Sequence, residues 1–254
     1  MIIYEYTNKM YIARQDLRQI RRIIVADYRE TVDYILGIPL FAQKIGKENL
    51  SSLLCRLGNP EKSIPAVHVA GTNGKGSTCR ALAQMLTGMG YRVGLFISPH
   101  LVSINERIQI DGENISDADF VWAFETVKEK FTQHPSFFEV MFAMAAVYFR
   151  EKKCDFVVYE TGMGGRLDAT NVLMPELSII TSVGMDHMEY LGDTIEKIAA
   201  EKAGIIKPGI PIIYFKRDEA VAKVIEDTAR GQKSPVIPVE KQDYIINHFC
   251  LFAS

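Results

Sequence analysis

In the stretch HVAGTNGKGSTCRALAQML, residues 68–86, glycines at 71, 74 and 76 surround one lysine, Lys75, and two hydroxyls, Ser77 and Thr78, follow at once. Glycine has no Cβ, so such a loop can turn several backbone N–H groups inward around one anion. A helix that starts immediately afterwards aims its positive end at the same spot. Lys75 then reaches the β- and γ-phosphates of a nucleotide, and Ser77 or Thr78 donates to a phosphate oxygen or sits at the helix start. The spacing departs from GxxxxGK[ST], because Gly76 separates lysine from hydroxyl. A nucleotide held by Gly71, Thr72, Asn73, Gly74, Lys75, Gly76 and Ser77 is the chemistry this pattern points to.

Four further segments carry polar chemistry. Glu160 ends the apolar run DFVVYE, where phosphate-loop proteins hold an acid that meets Mg²⁺ directly or through water. Ser98, in SPH, could add a neutral oxygen, and His187, in GMDH, a nitrogen. An ordinary histidine hydrogen-bonded to Asp186 is an equal reading of His187. In TIEKIAAEKAGII the inward stripe runs Ile195, Ile198, Ala199 and then Lys202. A lysine there is costly unless it is paired or loses its charge. It is either a snorkelling lysine at a helix C-terminus or a neutral amine near the metal, able to take up CO₂ as a carbamate and become an anionic oxygen ligand.

Elements must bring these residues together. Five apolar segments read as strands: 66–70, 91–97, 155–160, 177–183 and 210–215. Their apolarity does not alternate, which suits a parallel sheet buried on both faces. Helix patterns lie over 75–87, after Ser116, over 137–153 and after Asp193, with Ser116 (Asp119 three positions on) and Asp193 (Glu196 three positions on) reading as caps; two more helices fill 29–58. Gly88 and Gly90 suit a left-handed helix end. Strands alternating with helices predict an α/β, doubly wound, mostly parallel sheet. Ligands in such sheets bind beyond the carboxyl ends of the strands, and four exits here carry the glycine loop, SPH, Glu160-TGMGG and GMDH.

The bulk numbers bound the partners. A net charge of −2 over 254 residues makes no electrostatic case for nucleic acid or anionic membrane. Cys55, Cys79, Cys154 and Cys250 form no CxxC pair, so reduced thiols and no zinc site are expected. No run is long enough to span a bilayer, and the N-terminal segment lacks a secretory pattern, so the expected location is cytoplasmic. The cluster Arg14, Arg18, Arg21 and Arg22 reads as a solvated extension rather than a binding arm. The expected organisation is an extension over 1–28, a phosphate-loop ATP-binding domain over 29–240 and a tail over 241–254.

Taken together, HVAGTNGKGST, SPHL, ETGMGGRLDATN and SVGMDHMEYLGDTIEKIAAEKAGIIKPG resemble folylpolyglutamate synthase and dihydrofolate synthase, of the Mur ligase superfamily, from about residue 29 to about 215. The resemblance implies a Mur-ligase-type central domain and an ATP-dependent amide ligase that adds L-glutamate to dihydropteroate or a reduced folate through an acyl phosphate. It implies ATP and Mg²⁺ as cofactors, with Ser98, Glu160 and His187 as magnesium ligands and Lys202 carbamylated. The pterin side would involve Ile38, Pro39, Leu40 and Phe41, then Ser136, Phe137, Phe138 and Glu139, and lastly Leu167, Asp168 and Ala169. Relatives carry a second α/β domain that this chain does not, so it reads as the ATPase half, weakly active alone. A monomer with small-molecule partners is expected. The alternatives are another Mur-type amino-acid ligase, a non-catalytic ATP-binding remnant and, ranked last for want of an NKxD-like tetrad, a GTPase-type switch.

Overall fold

The computed structural model describes residues 27–39, 48–133, 135–185 and 188–240. Two helices, α1 over residues 27–36 and α2 (Glu48–Arg56), come first. The sheet domain then runs β1 (Ala66–Ala70), α3 (Lys75–Gly88), β2 (Val93–Phe96), β3 (Ile108–Ile110), β4 (Glu113–Asn114), α4 (Asp117–Lys128) and α5 (Phe137–Glu151). It continues through β5 (Phe156–Glu160), β6 (Leu177–Ile180), α6 (Met188–Leu191), α7 (Ile195–Ala203), β7 (Ile212–Phe215), α8 (Glu219–Gly231) and β8 (Val236–Val239). Among the described residues these strands form one 8-stranded sheet in the order β4-β3-β2-β5-β1-β6-β7-β8. From β2 to β8 the pairing is parallel, and β3 and β4 add an antiparallel edge. The doubly wound, mostly parallel expectation therefore holds.

Alternation along the strands decides which residue meets which layer. Val69, Leu95, Val158 and Ile179 point to one face and pack with Cys79 and Ala83 of α3. Ala66, Phe96, Val157 and Tyr159 point to the other, against Phe142 and Phe149 of α5. Farther along that second face, Ala70, Ile180, Ile212 and Tyr214 pack with α7 and α8. The aromatic group is tight: the Phe142 and Tyr159 ring centroids are 5.4 Å apart and those of Phe149 and Tyr159 are 6.1 Å apart. Each buried ring of this kind stabilises the fold by about 1.5–3 kcal/mol relative to exposure.

Several boundaries differ from the sequence reading for local reasons. The strand expected over 177–183 leaves the sheet after Ile180, because Thr181 and Ser182 turn their hydroxyls to Asn73 O instead. Asp193 does not cap α7. Thr194 does, accepting from Lys197 N, while Asp193 pairs with the Lys197 amine at 2.7 Å. At α4, Ser116 accepts from Asp119 N as expected, but the reciprocal capping boxes stand at Ser136–Glu139 and Ser103–Glu106. The left-handed helix end falls on Gly90 (φ 92), while Gly88 stays helical. The β3–β4 hairpin was not expected; it turns on Asp111 (φ 52) and Gly112 (φ 85), an Asp-Gly pair suited to a two-residue turn. Cys79 and Cys154 are buried and reduced. Among the described residues no helix is long and apolar enough to cross a membrane.

Candidate active site

The glycine loop is pinned before any ligand arrives. Thr72 N–H donates to Ser182 O at 2.7 Å, and the Thr72 hydroxyl donates to Gly184 O at 3.1 Å. Asn73 O accepts from the Thr181 hydroxyl at 2.8 Å and from the Ser182 hydroxyl at 3.1 Å. The exit of β6 thus forms one wall of the loop that follows β1. Gly71 is required here, since a Cβ on it would overlap the Thr181 hydroxyl. Gly74, at φ 84, turns the chain into α3, whose start has no side-chain cap. Its first-turn N–H groups are therefore directed at whatever the loop encloses. Lys75 lies back over the loop and donates to Gly71 O at 3.1 Å and Thr72 O at 3.4 Å.

Glu160 stands across from this loop. It lies on the α3 face of the sheet, at the end of β5, and is 3% exposed. A Cβ on Gly76 would lie 3.5 Å from Glu160 Oε2, in ordinary van der Waals contact, so loop and carboxylate are direct neighbours. Oε2 accepts the Ser98 N–H at 2.8 Å, which joins the β2 exit to the β5 exit. Burial pushes the carboxyl up from its ordinary range, while the Ser98 N–H and the charges of Lys75, Arg80 and Arg107 pull it back. Glu160 and Ser98 supply oxygen, the donor type that magnesium takes, beside the glycine loop and its uncapped helix start. The residues present therefore fit the ion. His187 falls outside the described residues.

Lys202 arrives from the opposite side. It is 2% exposed at the end of α7, and its Nζ donates to Gly71 O at 3.0 Å. Lys75 and Lys202 thus share one loop carbonyl, and the inward place read from the helix stripe is the observed one.

The remaining expected residues gather on the other flank of Glu160. Phe137 N–H donates to Pro39 O at 3.1 Å, which lays residues 38–39 on the start of α5. Ile38 packs on the core there. Phe138 sits against Gly162, where a Cβ would come within 2.8 Å of its ring, and faces Phe96 with centroids 5.4 Å apart. Two carboxylates in this group are engaged locally. Glu139 accepts from Ser136 N at 2.7 Å and from its hydroxyl at 2.9 Å. Asp168 accepts from Gly162 N at 2.8 Å, Met163 N at 2.9 Å, Thr170 N at 3.0 Å and the Thr170 hydroxyl. Leu167 is exposed and Ala169 half-buried on the same loop. Leu40 and Phe41 lie outside the described residues.

Sequence reasoning missed four contributors. Arg80 and Arg107 bring cations toward Glu160. His68 is fully buried on the α5 face and bonds Thr170 Oγ1 at 2.7 Å, and the exit pair Thr181–Ser182 holds the loop. A signal existed for Arg107 alone: an arginine opening the apolar run RIQI.

Comparison with known proteins follows the same lines. Residues 69–245 match the family model described as the Mur ligase middle domain. The chain is 44% identical over 232 residues to a dihydrofolate synthase/folylpolyglutamate synthase of Bacillus subtilis, covering 88% of this chain and 54% of that protein. It is 43% identical over 195 residues to a folylpolyglutamate synthase of Lacticaseibacillus casei, covering 74% of this chain and 46% of that one. Among solved structures, folylpolyglutamate synthase of Thermotoga maritima superposes with a TM-score of 0.77 at 42% identity, over 83% of this chain and 49% of that chain. A structure described as an FPGS–AMPPCP–folate complex gives a TM-score of 0.80 at 39% identity, over 83% of this chain and 53% of that chain. The chain spans about half the length of the relatives it matches.

Proposed function

The chain belongs to the Mur ligase family through its middle domain, and from that premise we propose an ATP-dependent carboxylate–amine ligase that joins L-glutamate to dihydropteroate or a reduced folate. One observation carries this reading: the phosphate loop and Glu160 close on a single space, with Gly76 backed against the Glu160 carboxylate. The relatives named as folylpolyglutamate or dihydrofolate synthases support the choice of substrate, as does a similar structure described as a complex with AMPPCP and folate.

The chemistry asks one anion, a carboxylate, to approach another, the γ-phosphate. Charge repulsion limits such a step. The loop amides and Lys75 hold the triphosphate and spread its charge. Glu160, Ser98 and His187 would hold Mg²⁺, which supplies further neutralisation when bound. Asp168 and the Ser136–Glu139 box fix the backbone of the aromatic flank, where Pro39, Phe137, Phe138 and Leu167 would meet the pterin acid.

Lys202 is proposed to carry a carbamate. Its amine is buried at Gly71 O, the carbonyl that Lys75 also bonds. An anionic carbamate there would attract Lys75. ¹³C NMR of the protein in labelled bicarbonate, with and without Lys202→Arg, reads this directly.

The function is tested by phosphate release from ATP and Mg²⁺, with dihydropteroate or tetrahydrofolate added separately, each with and without glutamate. The expected result is release that needs the pterin acid and glutamate together. ATP binding without glutamate-dependent release would make the chain a nucleotide-binding module. Release driven by a UDP-muramoyl peptide instead would move it to the cell-wall branch of the same family.

A further inference from the structure

Arg107 is 8% exposed, yet among the described residues it makes no ion pair. Its Nε donates to His100 Nδ1 at 2.8 Å, and its guanidinium carbon stands 5.1 Å from the centre of the Phe137 ring. Those two contacts fix the plane of the group and leave both terminal nitrogens without a hydrogen bond among the described residues. The segment carrying it is firm on both sides. Ile97 N–H donates to Arg107 O at 3.1 Å, which seats the residue beside the strand exit that leads to Ser98. Glu106 accepts the N–H groups of Leu101, Val102 and Ser103, fastening the loop that follows His100.

Neither terminal nitrogen is sealed from solvent, so both donors stand open to an incoming anion. A planar fork of this kind suits a carboxylate, whose two oxygens it can bond in parallel. Lys75 and the loop amides already serve the phosphates. Arg107 is set instead on the aromatic flank, against Phe137, while its charge reaches Glu160.

We propose that Arg107 binds the carboxylate of the acid substrate and presents it to the phosphate site, its plane held by His100 and Phe137. This deepens the ligase reading and rests on it.

The test compares binding of dihydropteroate and of its carboxamide, which keeps the ring and lacks the charge, to the 254-residue chain by isothermal titration in AMPPCP and Mg²⁺. The unsubstituted chain should prefer the acid by roughly 10- to 100-fold. Arg107→Gln should bind both at the level of the amide, and Arg107→Lys should recover part of the preference, with AMPPCP affinity unchanged in each. Equal binding of acid and amide by the unsubstituted chain overturns the proposal even if no variant folds. So does a preference retained in Arg107→Gln, or a loss confined to AMPPCP, which would assign the residue to phosphate. A chain that binds AMPPCP and neither pterin compound sinks the substrate reading itself, a different failure from any of these.

Discussion

Lys75 and Lys202 show how one backbone oxygen organises a site, since both amines donate to Gly71 O. Of the two, Lys75 is the one proposed to meet phosphate, and it is the loop's single lysine. Lys75→Ala should therefore cut phosphate release by about 10²–10³-fold, the usual cost of losing one aimed stabilising group. Melting temperature should be nearly unchanged, because the side chain is half-exposed and bonds only its own loop. His68 makes the opposite kind of residue, structural and buried. Its ring bonds Thr170 Oγ1, whose hydroxyl in turn donates to Asp168, while Nδ1 has no partner among the described residues. Burial first, and the charge of Lys207 second, lower its pKa to about 3. An unfolded histidine titrates near ~6.5. Between these values the unfolded chain binds a proton that the native chain refuses, so stability falls as pH drops from about 6.5 toward 3, by up to about 1.4 kcal/mol per unit from this group. Urea midpoints at pH 7 and pH 5 should show a shallower pH slope in His68→Gln, and an unchanged slope would count against the buried neutral ring.

At the scale of elements, the glycine-rich segment after β5 fits its neighbours only through missing side chains. A Cβ on Gly165 would lie 2.8 Å from Glu201 O and 2.9 Å from Lys202 O, both backbone atoms at the end of α7. Backbone does not step aside as a flexible side chain does. Gly165→Ala should cost about 1–3 kcal/mol by overpacking and should disturb Lys202, so thermal melting and phosphate release should fall together. Elements of this sheet differ in how visible they were beforehand. The central strands were legible because burial on both faces leaves an unbroken apolar run. The β3–β4 edge was not, since β3 is three residues long and its signal lay in the Asp111–Gly112 turn rather than in apolarity. The end of β6 was misread because Thr181 and Ser182 look like strand residues and bond a loop more than a hundred positions away. The site divides in the same way. Glu160 ends a strand and Lys75 and Ser98 lie just past strand ends, so local pattern reveals them. His68 and Thr170 are 102 positions apart, and Arg107 meets Phe137 across a fold that no short window contains.

For the whole molecule, the glycine loop leaves the sheet at a strand that packs into hydrophobic clusters on both faces. It leaves β1, whose Val69 packs toward α3 and whose Ala70 packs toward α7 and α8, and it is tied to the exit of β6 by Thr72 and Asn73. A ligand on this loop braces the centre of the sheet rather than its rim. Nucleotide should accordingly bind the native chain and not the unfolded one, which converts affinity into stability. At a hundred times its dissociation constant, ATP with Mg²⁺ should add about 2.7 kcal/mol. For a domain of this size that corresponds to a rise in melting temperature of roughly 5–10 °C. Glu160→Gln separates the contributions, since it keeps the shape of the side chain and removes the charge that would meet the ion. In that variant ATP alone should still raise the melting temperature, and adding Mg²⁺ should raise it little further. If the unsubstituted chain melts at the same temperature with and without saturating ATP and Mg²⁺, the loop holds no nucleotide, and the ligase reading built on its meeting with Glu160 goes with it.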